Sequence, residues 1–479
     1  MRIILLSCLL LISYVGVAQE PFLSFDHYLK KSKKPTQVFA ASFTEDKHFL
    51  IFIEDKKQVS AYNFDETGKE RIEGFSFPNF VKKYPNIGGY IYNDDDTYTL
   101  YLSTLNKKKW AIVTLNFKNK SFDLQETKLE ISKGRILESL LYNDKQYVFT
   151  LKRDTSIFEV SALAADGTVT TQEFPFDDSY FSEGKRTTQN LDRLLHESFT
   201  RKADIIDSES PIALESSKSR TKFYQEDHLV TLTIDASKKK THYLQFDLKN
   251  KTSTYKDIPK TVFDNTLLSS KSNSFIFEDK LFVLKVSSEE MDFSIYNLDS
   301  NENIASFSAK KGTPIGFKNT PIIQEGGEFK SYRELEKTSK FLRKVASSNP
   351  AIAVFKENDH YIITLGATQQ ITQGAPTFFV YGGGLAGAVA GGVISGIANA
   401  TYYQYNAYSY TKSARFQMVL DSDFQFMLDA EVPLNVFDEI SEFTQETPPT
   451  VIQTVFKFDD SYIWGAISAK NNRLNFFKF

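Results

Sequence analysis

The chain is 479 residues long, and its 57 Lys and Arg residues nearly balance its 60 Asp and Glu residues, which gives a formal net charge of -3. Because phosphate binding needs a concentrated basic surface, this balance argues against nucleic acid as a partner. The one cysteine, Cys8, excludes a disulfide within the chain and a cysteine zinc site. The six histidines lack the spacing of metal ligands, and no cofactor is expected.

Residues 1–19 have the pattern of a secretory signal peptide. Arg2 precedes an apolar run from Ile3 to Ile12, and small residues lead to Gln19. We expect cleavage near Ala18 or Gln19. The protein would then be exported to the periplasm, to the outer membrane as an associated protein, or to the extracellular space of a bacterium.

A nine-residue pattern recurs seven times in the rest of the chain. Each copy has an aromatic residue, an acidic turn and an apolar run rich in β-branched and aromatic side chains, which is typical of two strands joined by a tight hairpin. The copies are FTEDKHFLI (43–51), YNDDDTYTL (92–100), YNDKQYVFT (142–150), YQEDHLVTL (224–232), FEDKLFVLK (277–285), FKENDHYII (355–363) and FKFDDSYIW (456–464).

Every copy has an aspartate in its acidic turn, namely Asp46, Asp95, Asp144, Asp227, Asp279, Asp359 and Asp460. An Asp side chain can accept a backbone hydrogen bond two residues on, and Asp tolerates the left-handed backbone of a turn. We therefore assign these residues a structural role. The alternative is a cation-binding ring of acids, which lacks the dense Asp/Asn/Gly spacing of a calcium loop.

The spacing of these aspartates predicts the architecture. Asp46, Asp95 and Asp144 lie 49 residues apart, and a period of 40–50 residues with several short strands is typical of a propeller blade. The chain thus resembles a seven-bladed β-propeller repeat protein of no specific family, an all-β fold. Residues 20–479 would form one domain with helical inserts at about 177–221 and 313–349 and a Gly-rich apolar insert at about 366–411. The seventh unit has only about three strands, so FLSFDHYLK (22–30) should supply the missing one.

The first two inserts each contain one predicted helix. In the first, an apolar face at helical spacing comprises Leu191, Leu194, Leu195 and Phe199. In the second, Ser331 and Glu334 form a capping-box pattern before the apolar stripe of Tyr332, Leu335, Leu342 and Val345. The opposite face is basic, through Arg333, Lys337, Lys340, Arg343 and Lys344. It is either a solvated face or a docking face for an acidic partner.

The third insert has no charged residue between Tyr361 and Thr411. Within residues 378–400, small residues recur every fourth position and resemble a glycine zipper, through Gly383, Gly384, Gly387, Gly391, Gly392 and Gly396. Each glycine costs a helix about 1 kcal/mol relative to Ala, so such a helix needs a partner backbone or a bilayer. The stretch would enter a membrane, self-associate into a homo-oligomer, or pack on the propeller.

Three functions are compatible with these features. The first is a non-catalytic binding or scaffolding propeller of the bacterial cell envelope, with a peptide, a glycan or another envelope protein as ligand. The second is a membrane-associating or self-assembling protein that acts through residues 378–400. The third is a secreted propeller hydrolase, although the chain has neither a GxSxG nor an HExxH motif. We predict no catalytic and no metal-binding residues.

Overall fold

The structure is a computed structural model. The residues it describes are 21–30, 35–129, 131, 134–182, 189–197, 203–207, 210–263, 269–325, 332–369, 395–396, 401–402, 404–405, 412–447, 450–468 and 473–479. The predicted signal peptide therefore lies outside the described residues and stays a prediction.

The chain divides into two compact units. The first comprises Met1–Asn79 with Glu442–Phe479, and the second comprises Phe80–Ser441. Seven sheets, each built on a four-stranded antiparallel core, are distributed over these units.

Sheets one and seven belong to the first unit. Sheet one consists of β2 (Gln37–Phe43), β3 (His48–Glu54), β4 (Gln58–Asp65) and β5 (Glu70–Pro78). Sheet seven combines β1 (Pro21–Asp26) with β29 (Thr450–Phe458), β30 (Ser461–Ser468) and β31 (Arg473–Lys478).

Sheets two to six belong to the second unit. Sheet two contains β6 (Asn86–Tyr92), β7 (Thr97–Ser103), β8 (Trp110–Asn116) and β9 (Ser121–Glu126). Sheet three contains β10 (Gly134–Tyr142), β11 (Lys145–Lys152), β12 (Ile157–Leu163) and β13 (Val169–Pro175). Sheet four contains β14 (Asp204–Ile206), β15 (Thr221–Glu226), β16 (Leu229–Ile234), β17 (Lys240–Asp247) and β18 (Thr252–Pro259). Sheet five contains β19 (Lys271–Phe277), β20 (Lys280–Val286), β21 (Glu290–Asn297) and β22 (Asn303–Lys310). Sheet six contains β23 (Ile323–Glu325), β24 (Arg333–Glu334), β25 (Asn349–Glu357), β26 (His360–Gln369) and β28 (Lys412–Leu420). The remaining strand, β27 (Ser395–Gly396), pairs with the edge of sheet two.

The strand order is that of a seven-bladed β-propeller. Sheets one, two, three, four and five each contain four consecutive strands in chain order, and the last sheet is completed by the first strand. Neighbouring sheets contact each other through the strand at one end of each sheet. In the first unit β29 contacts β2, and in the second unit β6 contacts β10. This confirms the all-β, seven-bladed prediction.

The first strand closes sheet seven, as the sequence predicts. β1 pairs antiparallel with β31, and Phe25 lies opposite Leu474. Leu23 is buried in one apolar cluster with Phe49, Phe456 and Phe476. The strand is thus held both by ladder hydrogen bonds and by burial of its inward side chains.

The seven repeated aspartates lie in the turns between the paired strands of the seven sheets. Asp95, Asp144, Asp227 and Asp359 have positive φ angles of 50°, 57°, 49° and 62°. In the other three turns the neighbouring Lys47, Glu278 and Asp459 have the positive φ angle instead. The recurring acid thus marks a turn with left-handed backbone, which Asp adopts more readily than most residues.

A second repeat, which the sequence analysis did not find, occurs at the later turn of sheets one to six. There an Asp or Asn Oδ atom accepts backbone N–H groups two to four residues on, such as those of Thr67 and Lys69 at Asp65 Oδ1, both at 2.9 Å. The equivalent residues are Asn116, Asp166, Asp247, Asn297 and Asp421. The backbone hydrogen bonding expected of the repeated aspartates is therefore made by this other set.

Among the described residues, helices also lie outside the sheets, including a 3-10 helix at Asp178–Phe181. They also include α1 (Leu191–Glu197), α2 (Leu214–Ser217), α3 (Thr338–Ser347) and α4 (Val436–Glu446). Helix α1 buries Leu191, Leu194 and Leu195, the face expected from its spacing, while Phe199 is outside the described residues. Helix α4 was not predicted, although Asn435 and Asp438 cap it reciprocally through Asp438 N–Asn435 Oδ1 and Asn435 N–Asp438 Oδ2 contacts of 3.2 and 3.0 Å.

The predicted start of the second helix is wrong. Arg333 and Glu334 form β24 and pair with β23, so the helix begins only at Thr338, and Tyr332 is exposed. Phe341, Leu342 and Val345 are its buried face. Strand pairing thus overrides the capping pattern, and β23 gives sheet six an outer strand that precedes the sheet in the chain.

The Gly-rich insert leaves and re-enters sheet six at one place. β26 and β28 pair from Tyr361–Leu420 to Gln369–Lys412, so the two ends of the insert are adjacent. At Ser395–Gly396 the backbone pairs parallel with Asn86–Ile87, so the helix predicted over 378–400 is not present at these two residues. Gly383, Gly384, Gly387, Gly391 and Gly392 lie outside the described residues. Among the described residues, no helix combines the length and the apolar character needed to cross a bilayer.

Replacing Leu23 with Ala should lower the free energy of unfolding by about 3 kcal/mol, because it removes buried methyl groups from the closing strand. Urea unfolding monitored by tryptophan fluorescence measures this as a lower midpoint. Asp26→Ala, at an exposed position of the same strand, is the control and should leave the midpoint nearly unchanged. Equal effects of the two variants would contradict the proposed role of this strand.

His27 should make stability depend on pH. Burial lowers its pKa from 6.5 to about 4, and its Nδ1 lies 2.7 Å from the Tyr62 hydroxyl oxygen. The unfolded chain therefore takes up a proton below pH 6.5, whereas the folded chain does so only near pH 4. Stability is full above pH 6.5 and falls by about 3 kcal/mol as the pH drops through this window. Urea midpoints between pH 7.5 and 4.5 should fall less in His27→Gln, and parallel curves would refute this assignment.

Candidate binding cleft

The most deeply buried charges lie between sheets four and five. Lys260 Nζ is 2.9 Å from Asp235 Oδ1, and both side chains are fully buried. Lys222, also buried, donates to Asn273 Oδ1 at 2.8 Å. Ser274 donates to Asp235 Oδ2 through both its N–H and its hydroxyl, each at 2.7 Å.

Burial and charge set the protonation of this cluster. Burial alone would raise the pKa of Asp235, but the charges of Lys260 and Lys222 and their hydrogen bonds hold it well below its usual value. Burial lowers the pKa of Lys222 to about 8, although the charge of Asp235 opposes this. Since these groups are satisfied by one another and have no exposed surface, the cluster is a structural link rather than a site for a ligand.

A different arrangement is present on sheet six. A cleft that is partly open to solvent is lined by six chain segments. Residues 211–215 of the first insert form one wall, and the floor comes from β25, β26 and β28. Glu325 of β23 and Asn435, the cap of α4, complete the lining. Helix α2 contacts β25 and β26 directly, so the first insert is anchored over this sheet.

The two faces of sheet six differ in polarity because successive strand residues point to opposite faces. On one face Leu365 and Phe416 are buried in a large apolar cluster together with Leu342 of α3. On the other face Thr364 lies opposite Gln417, and Thr368 lies opposite Ser413. Between these two pairs Gly366 lies opposite Arg415. This polar face is the floor of the cleft.

Two ion pairs hold the charged side chains of the cleft in place. Arg415 Nε and Nη2 lie 3.0 and 2.5 Å from Glu325 Oε1. Glu215 Oε1 accepts from Lys218, the residue that follows the last residue of α2. Arg415 and Glu215 are only 20% and 17% exposed, so these contacts are shielded from water. The charges of the site are thus balanced inside it.

Two polar atoms of the lining are not satisfied. Among the described residues, Thr368 Oγ1 and Glu215 Oε2 are buried and have no hydrogen-bond partner. Thr368 is 1% exposed. A buried polar group without a partner is costly, so each such group calls for an explanation. Both residues line the same cleft.

The described lining of the cleft shows no activated nucleophile. In the described part of the lining, no hydroxyl is hydrogen-bonded to a carboxylate or imidazole that could activate it, and Glu325 is held by Arg415. Nor do the described residues contain a group of three His, Cys, Asp or Glu side chains able to hold a metal ion.

Phe355, the aromatic residue that begins the sixth copy of the repeat, lines this cleft, whereas none of the predicted site residues does so in the described part of the chain. The turn aspartates lie at strand ends, and Arg343 of the basic helix is exposed away from the buried face of α3. The alternating polar residues of TLGAT (364–368) and SARFQ (413–417) are the one sequence pattern that could have indicated it. Glu215 and Glu325 carry no such pattern, since they reach the cleft from separate inserts.

Gly366→Ala should disturb the floor of the cleft. A Cβ at this position would lie against the carbonyl oxygen of Ala414 and 2.9 Å from Arg415 Cα, so the strands must separate. We expect a loss of about 1–3 kcal/mol in unfolding free energy, measured by urea titration. Gly316→Ala, where nothing lies within 4 Å of the added Cβ, is the matched control. A control that loses as much stability as Gly366→Ala would show that the packing argument is wrong.

No family model matches the chain, and no curated protein matches it. Solved structures similar to it include the Dos1 propeller, at 9% identity and a TM-score of 0.32 over 96% of this chain and 95% of that chain. The WD40 domain of SCAP from fission yeast has 8% identity and a TM-score of 0.28 over 96% and 97%. The dihydro-heme d1 dehydrogenase NirN in complex with DHE has 9% identity and a TM-score of 0.29 over 60% of this chain, which spans 50% of that chain's length. These likenesses carry no argument about activity, and the fold assignment rests on the strand order.

Proposed function

We propose that the protein is a non-catalytic binding propeller of the bacterial cell envelope and that the cleft on sheet six is its ligand site. The observation that carries this proposal is the pair of unsatisfied buried atoms, Thr368 Oγ1 and Glu215 Oε2, in one cleft. A group that is buried without a partner in the free protein gains a hydrogen bond when a ligand enters.

The arrangement of the lining supports binding by a preformed site. Arg415, Thr364 and Thr368 project from strands that are paired on both edges, so their backbone is fixed. Glu325 is held by Arg415, and Asn435 is held as the cap of α4. A ligand therefore meets side chains that have already lost their freedom, which lowers the entropy cost of binding. A peptide, a glycan or another envelope protein is the class of ligand we expect.

The cellular location is part of the proposal. The pattern of residues 1–19 supports export, and an exported propeller would bind its ligand in the periplasm, at the outer membrane or outside the cell. The balanced net charge of -3 is consistent with a ligand other than nucleic acid.

Association with a membrane or with a second copy through residues 378–400 is the alternative function. The strand pairing in sheet six allows this function to be tested separately from ligand binding in the cleft. Because β26 and β28 remain paired as far as Gln369–Lys412, residues 371–410 can be replaced by a two-residue Asn-Gly turn without cutting a strand of sheet six. The replacement would separate the two functions.

The test compares the full chain with this deletion variant. Each is screened against an array of neutral and acidic oligosaccharides and a displayed heptapeptide library, and each is tested for flotation with phosphatidylethanolamine–phosphatidylglycerol vesicles. We expect both proteins to bind the same ligand class and to leave it chemically unchanged. If flotation or oligomer formation occurs, it should be confined to the full chain.

Three results would contradict the proposal. Absence of binding to both panels would refute a ligand-binding role. Conversion of a bound saccharide or peptide, followed by mass spectrometry, would favour the hydrolase hypothesis instead. Loss of all ligand binding in a deletion variant that keeps the thermal midpoint of the full chain would place the site in the Gly-rich insert.

A further inference from the structure

We infer that the cleft on sheet six takes a neutral saccharide. The inference rests on the proposed function and adds the chemical class of the ligand. It follows from the charge of the cleft, from the hydrogen-bonding groups that its walls leave for a ligand, and from its apolar surface.

The charge balance indicates a neutral ligand. The cation of Arg415 is paired with Glu325, and the carboxylate of Glu215 is paired with Lys218. These side chains are between 17% and 34% exposed, so an additional charge would be brought into a poorly solvated space without a counter-charge. An anionic or cationic ligand would therefore have to break one of the two pairs.

The unsatisfied atoms indicate a ligand that brings hydroxyl groups. Glu215 Oε2 can only accept a hydrogen bond, and Thr368 Oγ1 can accept or donate one. A sugar hydroxyl can do both, and a hydrogen bond to a carboxylate is stronger than one between neutral groups. The amide of Gln417 and the hydroxyls of Thr364 and Ser413 extend this polar surface along the floor.

The cleft also offers an apolar surface. Ile212 and Leu214 line it from the wall formed by the first insert, and the partly exposed Phe355 lines it from β25, at the side of the floor. A pyranose ring presents C–H groups on its faces and hydroxyls around its edge. Its faces can pack on aliphatic and aromatic side chains while its edge meets the polar floor.

The floor does not favour an extended peptide. Peptides that lie along a sheet bind mainly through free backbone N–H and C=O groups at an edge strand. Of the floor strands, β26 lies between β25 and β28, and β28 lies between β26 and β23. The third, β25, ends the sheet, and it contacts β19 and β20 of sheet five. Recognition must therefore come from side chains, as is usual for sugars.

The experiment is ligand-observed saturation-transfer NMR on the full chain. The neutral probes are glucose, galactose, N-acetylglucosamine, maltose and cellobiose, and the comparison probes are glucuronate and trialanine. We expect transfer to at least one neutral sugar and none to glucuronate. Dissociation constants for the best sugar are then measured with two cleft variants, Thr368→Val and Glu215→Gln.

The matched control is Thr454→Val. Thr454 is also 1% exposed, and its Oγ1 is likewise buried without a partner among the described residues, but it belongs to sheet seven and does not line the cleft. We expect each cleft variant to weaken binding about tenfold, as loss of one good hydrogen bond implies, and the control to stay within about twofold of the unmodified protein. Thermal midpoints verify folding, and Glu215→Gln alone suffices if Thr368→Val does not fold.

The outcomes distinguish this inference from the proposed function. Transfer to trialanine without transfer to any neutral sugar overturns the saccharide assignment but leaves a binding propeller. Sugar binding that is unchanged in both cleft variants overturns the assigned site. A preference for glucuronate overturns the charge argument. Transfer to none of the probes overturns the saccharide inference, while the broader ligand panels decide whether any ligand binds.

Discussion

The pairing of the first strand with the last is the constraint on which the architecture depends. A propeller sheet that lacks its fourth strand has an unpaired edge, and the two chain ends of this protein solve that problem together through β1 and β31. The pairing joins residues that are about 450 positions apart in sequence, such as Phe25 and Leu474. It also buries Leu23 against Phe49, so ladder hydrogen bonds and apolar burial act on the same strand.

Within the sheets, burial follows a consistent pattern. Inner strands such as β3 are buried along their whole length, whereas outer strands such as β9 alternate between exposed and half-buried residues. Sheet six departs from this pattern on one face, where hydroxyl, amide and guanidinium groups replace apolar side chains. This departure supports the proposed ligand site, because a fully apolar and closed interface cannot bind a polar ligand.

Two buried polar clusters of this protein differ in how completely their polar atoms are paired. Around Asp235 each of the charged groups has a partner and the side chains are sealed from solvent, so the cluster links two sheets. In the cleft, the ion pairs are also formed, but Thr368 Oγ1 and Glu215 Oε2 are buried without a hydrogen-bond partner among the described residues. Incomplete satisfaction, rather than burial or charge alone, separates the two.

The sequence by itself determined the number of blades, the turns and the closing strand. These features depend on local chemistry, because a residue such as Asp144 defines a tight turn and an alternating apolar run defines a strand wherever they occur. Local patterns failed where tertiary pairing competed with them. Arg333 and Glu334 joined a strand despite a capping pattern, because β23 offered them backbone partners.

Only the tertiary structure determined where the cleft lies and which residues line it. Its lining comes from residues near positions 215, 325, 368 and 415, which share no motif and become neighbours only when two inserts pack against sheet six. The physical reason is that a turn or a strand is encoded over a few adjacent residues, whereas a cavity is the space left between surfaces whose sequences are far apart.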